Sequence, residues 1–320
     1  MYKIGIIDTM KEKGINLLKS YKNFDCEIVT DLSRENLLLK LPEFDGITLR
    51  RGKIDREILD KCDKLKVISR HGVGYDSVDT KCLKEKGITL LVAHNSTSTS
   101  PAEHIMFMIM NIYKGVSMFD TMVRSGDFVK AIHLNIEQNF ELFDKTVLIA
   151  GFGRIGKKLI KKCLGFDMKV LVFDPYVDDM TITSFGGEKV ASLEEGLKKA
   201  DILSLSLPLN SKTKNFITLK EMKLMKKSSI IINAARGGVV NEEDLNNALD
   251  NNIIAFAGID VFEKEPPEPT NPLITNKKVV LSPHAATFTK EGLESMAVET
   301  AQNIIDFFEN KIENTKIVKL

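Results

Sequence analysis

The chain contains 320 residues, which is enough for about two domains of roughly 150 residues each. Its 45 lysine and arginine residues are nearly balanced by 44 acidic residues, leaving a formal net charge of +1. No chain-wide positive field is therefore available to attract nucleic acid or anionic lipid, and a small neutral or anionic molecule is the expected ligand.

Cysteine usage indicates a reducing compartment, and hydropathy indicates a chain that is neither exported nor membrane-spanning. The N-terminal apolar run stops at Asp8, which is too short for a signal peptide, and no later run approaches the roughly 18 apolar residues of a membrane-spanning helix. The cysteines are widely separated, without C-x-x-C pairing or metal-ligand spacing to histidine: Cys26, Cys62, Cys82 and Cys163. We therefore expect a cytoplasmic protein without structural metal that does not bind a membrane.

The first 92 residues alternate between short β-type runs and charged amphipathic helical stretches. The β-type runs are KIGIID, CEIVT, GITL, KVIS and ITLLV. Strands that alternate with helices form a parallel sheet covered on both faces. The first unit is therefore predicted to be a doubly wound α/β domain.

A Ser/Thr-rich segment, NSTSTS, ends this unit and precedes a largely apolar helix. Pro101 is the predicted first helical position, because proline fits the first turn of a helix. The methionines in FMIMNIY are interpreted as core or dimer packing rather than as a cofactor site. We place the first domain boundary at this segment.

A second series of β-type runs follows, separated again by helical patterns. These runs are TVLIAG, KVLVFD, ILSLSL, SIIINA and IAFAGID, which predict a second parallel sheet. The tail then places apolar residues on one helical face, which must be buried against another surface: Leu293, Ala297, Ala301, Ile304 and Phe308.

The run GFGRIG follows the strand-like TVLIA and opens a helix. Gly151, Gly153 and Gly156 have the spacing that allows a tight turn, close approach of the backbone to a pyrophosphate, and close helix packing. Asp174 ends the next predicted strand, where a carboxylate binds the ribose hydroxyls of NAD and repels the 2′-phosphate of NADP. A purely structural glycine turn is the alternative, but strand, glycines, helix, strand and acid occur in order. The pattern predicts an NAD site.

Three polar residues follow successive predicted strands of the second unit. Arg236 comes after SIIINAA, Glu265 lies in DVFEKEPP, and His284 follows KKVVL. Each alone has an ordinary structural interpretation. Together, at the strand ends where α/β sheets bind ligands, they suit hydride transfer to a carbonyl.

These segments resemble the D-isomer-specific 2-hydroxyacid dehydrogenases, the family of D-3-phosphoglycerate, hydroxypyruvate, glyoxylate and D-lactate dehydrogenases. The resemblance covers nearly the whole chain and rests on RHGVGYDSVD, AEH, GFGRIG, LPL, NAARGGVV, DVFEKEP and PHAAT. It implies a Rossmann NAD-binding domain, residues 99–287, inserted into a flavodoxin-like substrate domain, residues 1–98 plus 288–320. It also implies a homodimer built around the NAD-binding domain.

By this resemblance, the chain reduces a small 2-oxoacid reversibly to a D-2-hydroxyacid with NAD. Arg236 binds the substrate carboxylate, and His284 is the acid and base, supported by Glu265 because a carboxylate favours and orients an imidazolium. Further substrate contacts come from Arg50 and from the backbone of Gly72, Val73 and Gly74. The implied cofactor contacts, besides the three glycines and Asp174, are Arg154, Ile155, Leu207, Pro208, Thr213, Ala234 and Asp260.

Some features depart from the family pattern or leave alternatives open. Phe128 stands where the family commonly has tryptophan, and DKTVLIAG replaces the usual approach to the glycine loop. The length predicts a short form without the C-terminal regulatory domains of longer phosphoglycerate dehydrogenases. An NAD-sensing corepressor of the same fold is the alternative function, whereas formate and zinc alcohol dehydrogenases fit the residues less well. The remaining histidines are interpreted as structural: His71, His94, His104 and His133.

Overall fold

The computed structural model describes residues 1–94, 96, 98–134 and 139–320. Asn95 and Thr97 of the predicted boundary segment lie outside the described residues. The chain divides into two compact units, one formed by Met1–Ser98 with Thr287–Leu320 and the other by Thr99–Ala286. 

The strands of each unit form one sheet. Those of the first unit are β1 (Tyr2–Ile7), β2 (Phe24–Val29), β3 (Gly46–Leu49), β4 (Val67–Arg70) and β5 (Thr89–Val92). Those of the second unit are β6 (Thr146–Ala150), β7 (Lys169–Phe173), β8 (Glu188–Lys189), β9 (Ile202–Leu205), β10 (Ile230–Asn233), β11 (Phe256–Ile259) and β12 (Val279–Leu281).

Helices connect the strands. Four of them lie in the N-terminal part of the first unit: α1 (Glu12–Lys19), α2 (Arg34–Lys40), α3 (Arg56–Asp60) and α4 (Thr80–Lys86). The second unit contains α5 (Thr99–Lys114), α6 (Val116–Arg124), α7 (Phe128–Ile132), α8 (Arg154–Leu164), α9 (Asp179–Ser184), α10 (Leu193–Lys199), α11 (Leu219–Met222), α12 (Glu242–Asp250) and α13 (Pro272–Thr275). The first unit is completed by α14 (Lys290–Phe308), and short 3-10 turns cover Leu41–Glu43 and Asn314–Lys316.

The first unit has the strand order β2-β1-β3-β4-β5, with all neighbours parallel. This is the flavodoxin-like order, whose ligand crevice lies at the carboxyl ends of β1 and β3, where the strand order reverses. One face buries Ile47, Ile68 and Leu90, and the other packs against α1 and α14. Helices α1 and α14 approach closely, because a Cβ on Gly14 would lie 2.4 Å from the Ala297 carbonyl oxygen.

The second unit has the order β12-β11-β10-β9-β6-β7-β8, again parallel. Counted from β6, this is the Rossmann order with an added strand, and its switch point lies between β6 and β9. Val147 and Ile149 face the core under α5 and α8, whereas Leu148 faces the core under α10 and α12. Both predicted doubly wound parallel sheets are confirmed.

Two further predictions can be compared with the structure. Helix α5 begins at Thr99, two residues before Pro101, so the predicted first helical position is wrong; proline is tolerated there because the first turn has free N–H groups anyway. Among the described residues, none of the helices has the length and hydropathy needed to cross a bilayer. The same residues contain no cluster of three His, Cys, Asp or Glu side chains suited to a metal.

Candidate active site

The loop from β6 to α8 is shaped by its three glycines. Gly151 has φ +96°, and a Cβ there would lie 2.6 Å from the Ser206 carbonyl oxygen. A Cβ on Gly156 would lie 2.6 Å from the Gly151 oxygen, whereas one on Gly153 would meet no described atom within 4 Å. Gly153 is also the N-cap residue of α8. The N-terminal amides of α8 are not capped by any described side chain. The loop therefore presents backbone donors and an open face to an anion.

Asp174 lies directly beside this loop. Its carboxylate accepts hydrogen bonds from the Phe152 amide at 2.8 Å and from the Tyr176 amide at 2.9 Å. The side chain is half-buried, so it also has a solvent-facing part. Asp174 thus holds the glycine loop against the end of β7.

The segment after β9 forms the opposite side of the switch point. Leu207 lies 3.0 Å from the position that a Cβ on Gly151 would take. The Thr213 hydroxyl donates to the Pro208 carbonyl at 2.6 Å. The same hydroxyl accepts from the Asn210 amide at 2.8 Å. The Ser206 hydroxyl is buried without a hydrogen-bond partner among the described residues. This orphaned hydroxyl, adjacent to the glycine loop, was missed by the sequence analysis, although its position directly after a strand was a usable signal.

His284 and Glu265 form a hydrogen-bonded pair in the second unit. The His284 Nδ1 lies 2.7 Å from Glu265 Oε2, and an ionised carboxylate only accepts, so Nδ1 carries the proton and Nε2 is left for a substrate. Burial raises the pKa of Glu265, but the His284 ring and the Phe262 amide outweigh it, so the pKa lies below its ordinary value. Both side chains remain partly exposed, at 48% for His284 and 38% for Glu265.

Arg236 occupies a loop that contacts the Glu265 loop directly. The buried Asn233 shapes it, accepting from the Ala235 amide and donating to the Arg236 carbonyl. The Arg236 Nη1 donates to the Ala235 carbonyl at 2.6 Å. A Cβ on Gly237 would lie 1.8 Å from the Phe262 carbonyl oxygen, so only glycine lets the two loops meet this closely. The structure therefore couples the positions of the Arg236 and Glu265 loops.

Asp260 is fully buried at the end of β11. Its carboxylate accepts from the Ser282 hydroxyl at 2.5 Å, the Ala285 amide at 2.7 Å and the Ala286 amide at 3.1 Å. Burial raises its pKa, but hydrogen bonds from His104, Ser282 and Ala285 hold the pKa below its ordinary value. Asp260 is thus an ionised anchor for the loop that carries His284.

In the first unit, the candidate substrate residues lie at the carboxyl edge of the sheet. Gly72 has φ +130°, and the Gly72–Gly74 loop follows β4. Arg50 follows β3 and donates to the Thr9 carbonyl at 3.1 Å. Arg70, which the sequence analysis did not single out, donates to the carbonyls of Leu49, Arg50 and Gly74 at 2.7–2.8 Å. It joins the end of β3 to the glycine loop.

Charge at this edge is dominated by arginine. Burial raises the pKa of Asp8, but the 2.6 Å bond from Arg51, the Thr9 amide and the charges of Arg51 and Arg50 together lower it below its ordinary value. His71 is buried, and burial together with the positive Arg50 lowers its pKa to about 4. The ring is therefore neutral at pH 7, consistent with its structural interpretation.

Comparison with known proteins identifies the family. Residues 106–286, more than half of the chain, match the sequence model of the D-isomer specific 2-hydroxyacid dehydrogenase, NAD binding domain. This chain belongs to the D-isomer-specific 2-hydroxyacid dehydrogenase family. The resemblance found in the sequence is confirmed. The cofactor is NAD, because the matched model describes an NAD-binding domain.

Relatives support the same assignment over the rest of the chain. The glyoxylate reductase of Thermococcus litoralis is 35% identical over 97% of this chain and 95% of its own length. The D-3-phosphoglycerate dehydrogenase of Methanocaldococcus jannaschii is also 35% identical, over 95% of this chain, but this chain spans only 57% of that enzyme. A crystal structure of a Thermus thermophilus protein superposes with a TM-score of 0.89, at 27% identity, covering 99% of this chain and 100% of that one.

The glycine loop provides a test of how this family member holds its cofactor. We expect Gly153→Ala to fold normally and to bind NADH about tenfold more weakly, because the added methyl group faces the pyrophosphate approach rather than protein. Gly156→Ala is the matched variant, expected to lose roughly 1–3 kcal/mol of stability through its 2.6 Å contact with Gly151. Thermal unfolding measures the stability of both variants, and fluorescence titration measures their affinity for NADH. A melting temperature of Gly156→Ala equal to that of the parent would contradict the assignment of Gly156 to packing.

Proposed function

We propose that this chain catalyses the NAD-dependent, reversible reduction of a small 2-oxoacid to a D-2-hydroxyacid. The 2.7 Å contact between His284 and Glu265 in the NAD-binding unit carries the proposal, because it supplies a proton donor held by an ionised carboxylate. The neighbouring Arg236 loop adds a guanidinium, which matches the planar geometry of a carboxylate.

Each residue has a defined part in this reaction. Arg236 binds the substrate carboxylate and polarises the adjacent carbonyl. NADH, when bound, supplies the hydride that adds to the carbonyl carbon. The electron pair of the carbonyl π bond then takes the proton from His284 Nε2, leaving a neutral imidazole and a hydroxyl group. In the reverse direction, neutral His284 removes the hydroxyl proton. Glu265 keeps the ring oriented in both states.

The charge of the first unit favours a substrate with a second anionic group. Arg50 and Arg51 both lie beside Asp8 at the carboxyl edge of the first sheet, and Arg70 donates to the Arg50 carbonyl. Arg50 lies 3.7 Å from Asp8, a longer contact than the 2.6 Å made by Arg51. By family resemblance, the Gly72–Gly74 amides hold the substrate carboxylate. Arg50 is therefore our candidate for binding a second anionic group at the far end of the substrate.

A panel of 2-oxoacids with NADH tests the function and the substrate class together. The panel contains glyoxylate, pyruvate, hydroxypyruvate and 3-phosphohydroxypyruvate. We expect turnover with at least one and the highest kcat/KM with 3-phosphohydroxypyruvate, which has a second anionic group. Turnover restricted to glyoxylate would overturn the substrate class. NAD binding without turnover would favour the corepressor alternative. The His284–Glu265 pair makes that alternative the weaker candidate.

Cofactor preference gives a separate prediction. We expect kcat/KM to be at least about tenfold higher with NADH than with NADPH, because the half-buried Asp174 repels a 2′-phosphate. Asp174→Asn should narrow this ratio by removing the charge while keeping a side-chain oxygen for the Phe152 amide. Equal use of both cofactors by the unchanged chain would remove Asp174 from this role.

We also propose a homodimer formed through an apolar surface of the second unit. Phe107, Val116 and Phe166 are 57%, 56% and 41% exposed and line a groove of about 500 Å³ between α5, α6 and α8. Apolar side chains grouped in this way are typical of subunit contacts. Sedimentation equilibrium should give twice the chain mass.

A cytoplasmic location and the absence of a nucleic-acid partner stay predictions.

A further inference from the structure

We infer that His104 is a positioning residue for His284, acting through the Ser282 hydroxyl and the buried Asp260 carboxylate. The inference rests on the proposed function, in which His284 is the proton donor. His104 lies on α5, and the sequence analysis interpreted it as structural. All four residues belong to the second unit.

The backbone at and after His284 is held by Asp260. His284 has φ +54°, a left-handed conformation that a non-glycine residue keeps only when its surroundings enforce it. Its amide donates to the Asp260 carbonyl at 2.7 Å, and the next two amides, of Ala285 and Ala286, donate to the two Asp260 carboxylate oxygens. The position of Asp260 therefore sets the backbone conformation from which the His284 side chain extends.

The hydrogen positions of the network follow from counting donors. The Ser282 hydroxyl has one hydrogen, and it is donated to Asp260 Oδ1 at 2.5 Å, because an ionised carboxylate can only accept. The 2.9 Å contact between His104 Nε2 and Ser282 Oγ is then possible only if His104 donates. The same Nε2 lies 3.4 Å from Asp260 Oδ1. His104 thus supplies the outermost donor of a chain that ends at the Asp260 carboxylate.

This donor matters because Asp260 is fully buried and charged. A buried carboxylate is stable only when donors replace the lost water, and hydrogen bonds in such a chain strengthen one another. Without His104, the Ser282 hydroxyl is a weaker donor and free to rotate, and the carboxylate is less tightly held. The expected consequence is a wider range of His284 orientations rather than unfolding.

The competing explanation is that His104 only fills space in α5. Its side chain is 16% exposed, and its ring lies 6.1 Å from that of Phe107. Two substitutions separate the explanations. Leucine fills the space without a donor, whereas glutamine places an amide N–H at about the reach of Nε2.

The test measures steady-state kinetics of His104→Leu and His104→Gln with the best 2-oxoacid of the panel. We expect the Leu variant to lose about tenfold in kcat, the size of one hydrogen bond to a charged network, with KM and the NADH dissociation constant within twofold of the parent. The Gln variant should recover most of kcat. Native kcat in the Leu variant, or a Gln variant as slow as the Leu variant, would overturn the donor role.

Hydrogen exchange supplies a readout that needs no turnover. In the chain without substrate, the Ala285 and Ala286 amides should exchange faster in His104→Leu than in the parent, while the Asp260 amide, which pairs with the Asn233 carbonyl, serves as the internal control. Unchanged exchange at Ala285 and Ala286 would overturn the inference. An inactive parent chain would overturn the proposed function instead, leaving the exchange result to decide the network by itself.

Discussion

Replacing His284 with alanine is expected to lower kcat for 2-oxoacid reduction by about 100- to 10,000-fold, the usual contribution of a general acid. NADH binding should stay near the parent value, because His284 makes its hydrogen bonds to Glu265 and Asp260 rather than to the glycine loop. His284→Asn is the matched variant, since asparagine tolerates the left-handed φ of +54° but cannot transfer the proton. Near-native turnover in either variant would require another proton donor.

The same pair predicts opposite pH profiles for the two directions. Because the pKa of Glu265 lies below its ordinary value, its carboxylate stays ionised across the neutral range. Reduction needs the imidazolium and should fall as pH rises, whereas oxidation needs neutral imidazole and should rise. 

Glu265→Gln removes the carboxylate that accepts from His284 Nδ1, so kcat/KM should fall in both directions because the ring is held less firmly. The measurement is kcat/KM against pH in both directions for the parent and the Gln variant. Native kcat/KM in the Gln variant would show that Glu265 does not hold the ring for the reaction.

Arg236→Lys is expected to lower kcat/KM for the 2-oxoacid by about 100-fold although the charge is kept. A lysine ammonium cannot reproduce a planar, two-pronged contact with a carboxylate, and hydrogen bonds to charged groups contribute about 1.5–3 kcal/mol each. The loop has little freedom to compensate, because Gly237 packs directly against the Phe262 carbonyl.

The control is Arg56→Lys, an exposed arginine paired with Glu85 in the first unit, which should leave kinetics unchanged. NADH dissociation constants are measured for both variants, since Arg236→Lys should leave cofactor binding intact. A Lys variant with native kcat/KM would make Arg236 a structural residue of the loop.

Much of this architecture could be predicted from the sequence, because its signals are local. Alternation of apolar strands with amphipathic helices is enough to predict parallel sheets, and the spacing of Gly151, Gly153 and Gly156 after a strand is enough to predict a dinucleotide loop. The two-residue strand β8 escaped prediction because Glu188–Lys189 has no apolar pattern and is defined only by its pairing with β7.

The sequence by itself determined the fold class, the glycine loop and the identity of the residues proposed for chemistry. The tertiary structure decided which of them touch and what holds them. His104 and Ser282 are 178 residues apart, and Ser282 and Asp260 are 22 apart, so their contacts exist only once α5, β11 and β12 have packed. Arg70 likewise donates to the carbonyls of Leu49 and Arg50 only when β3 and β4 lie side by side. Burial and long-range hydrogen bonding depend on the whole packed unit, whereas periodicity and turn chemistry are properties of short segments.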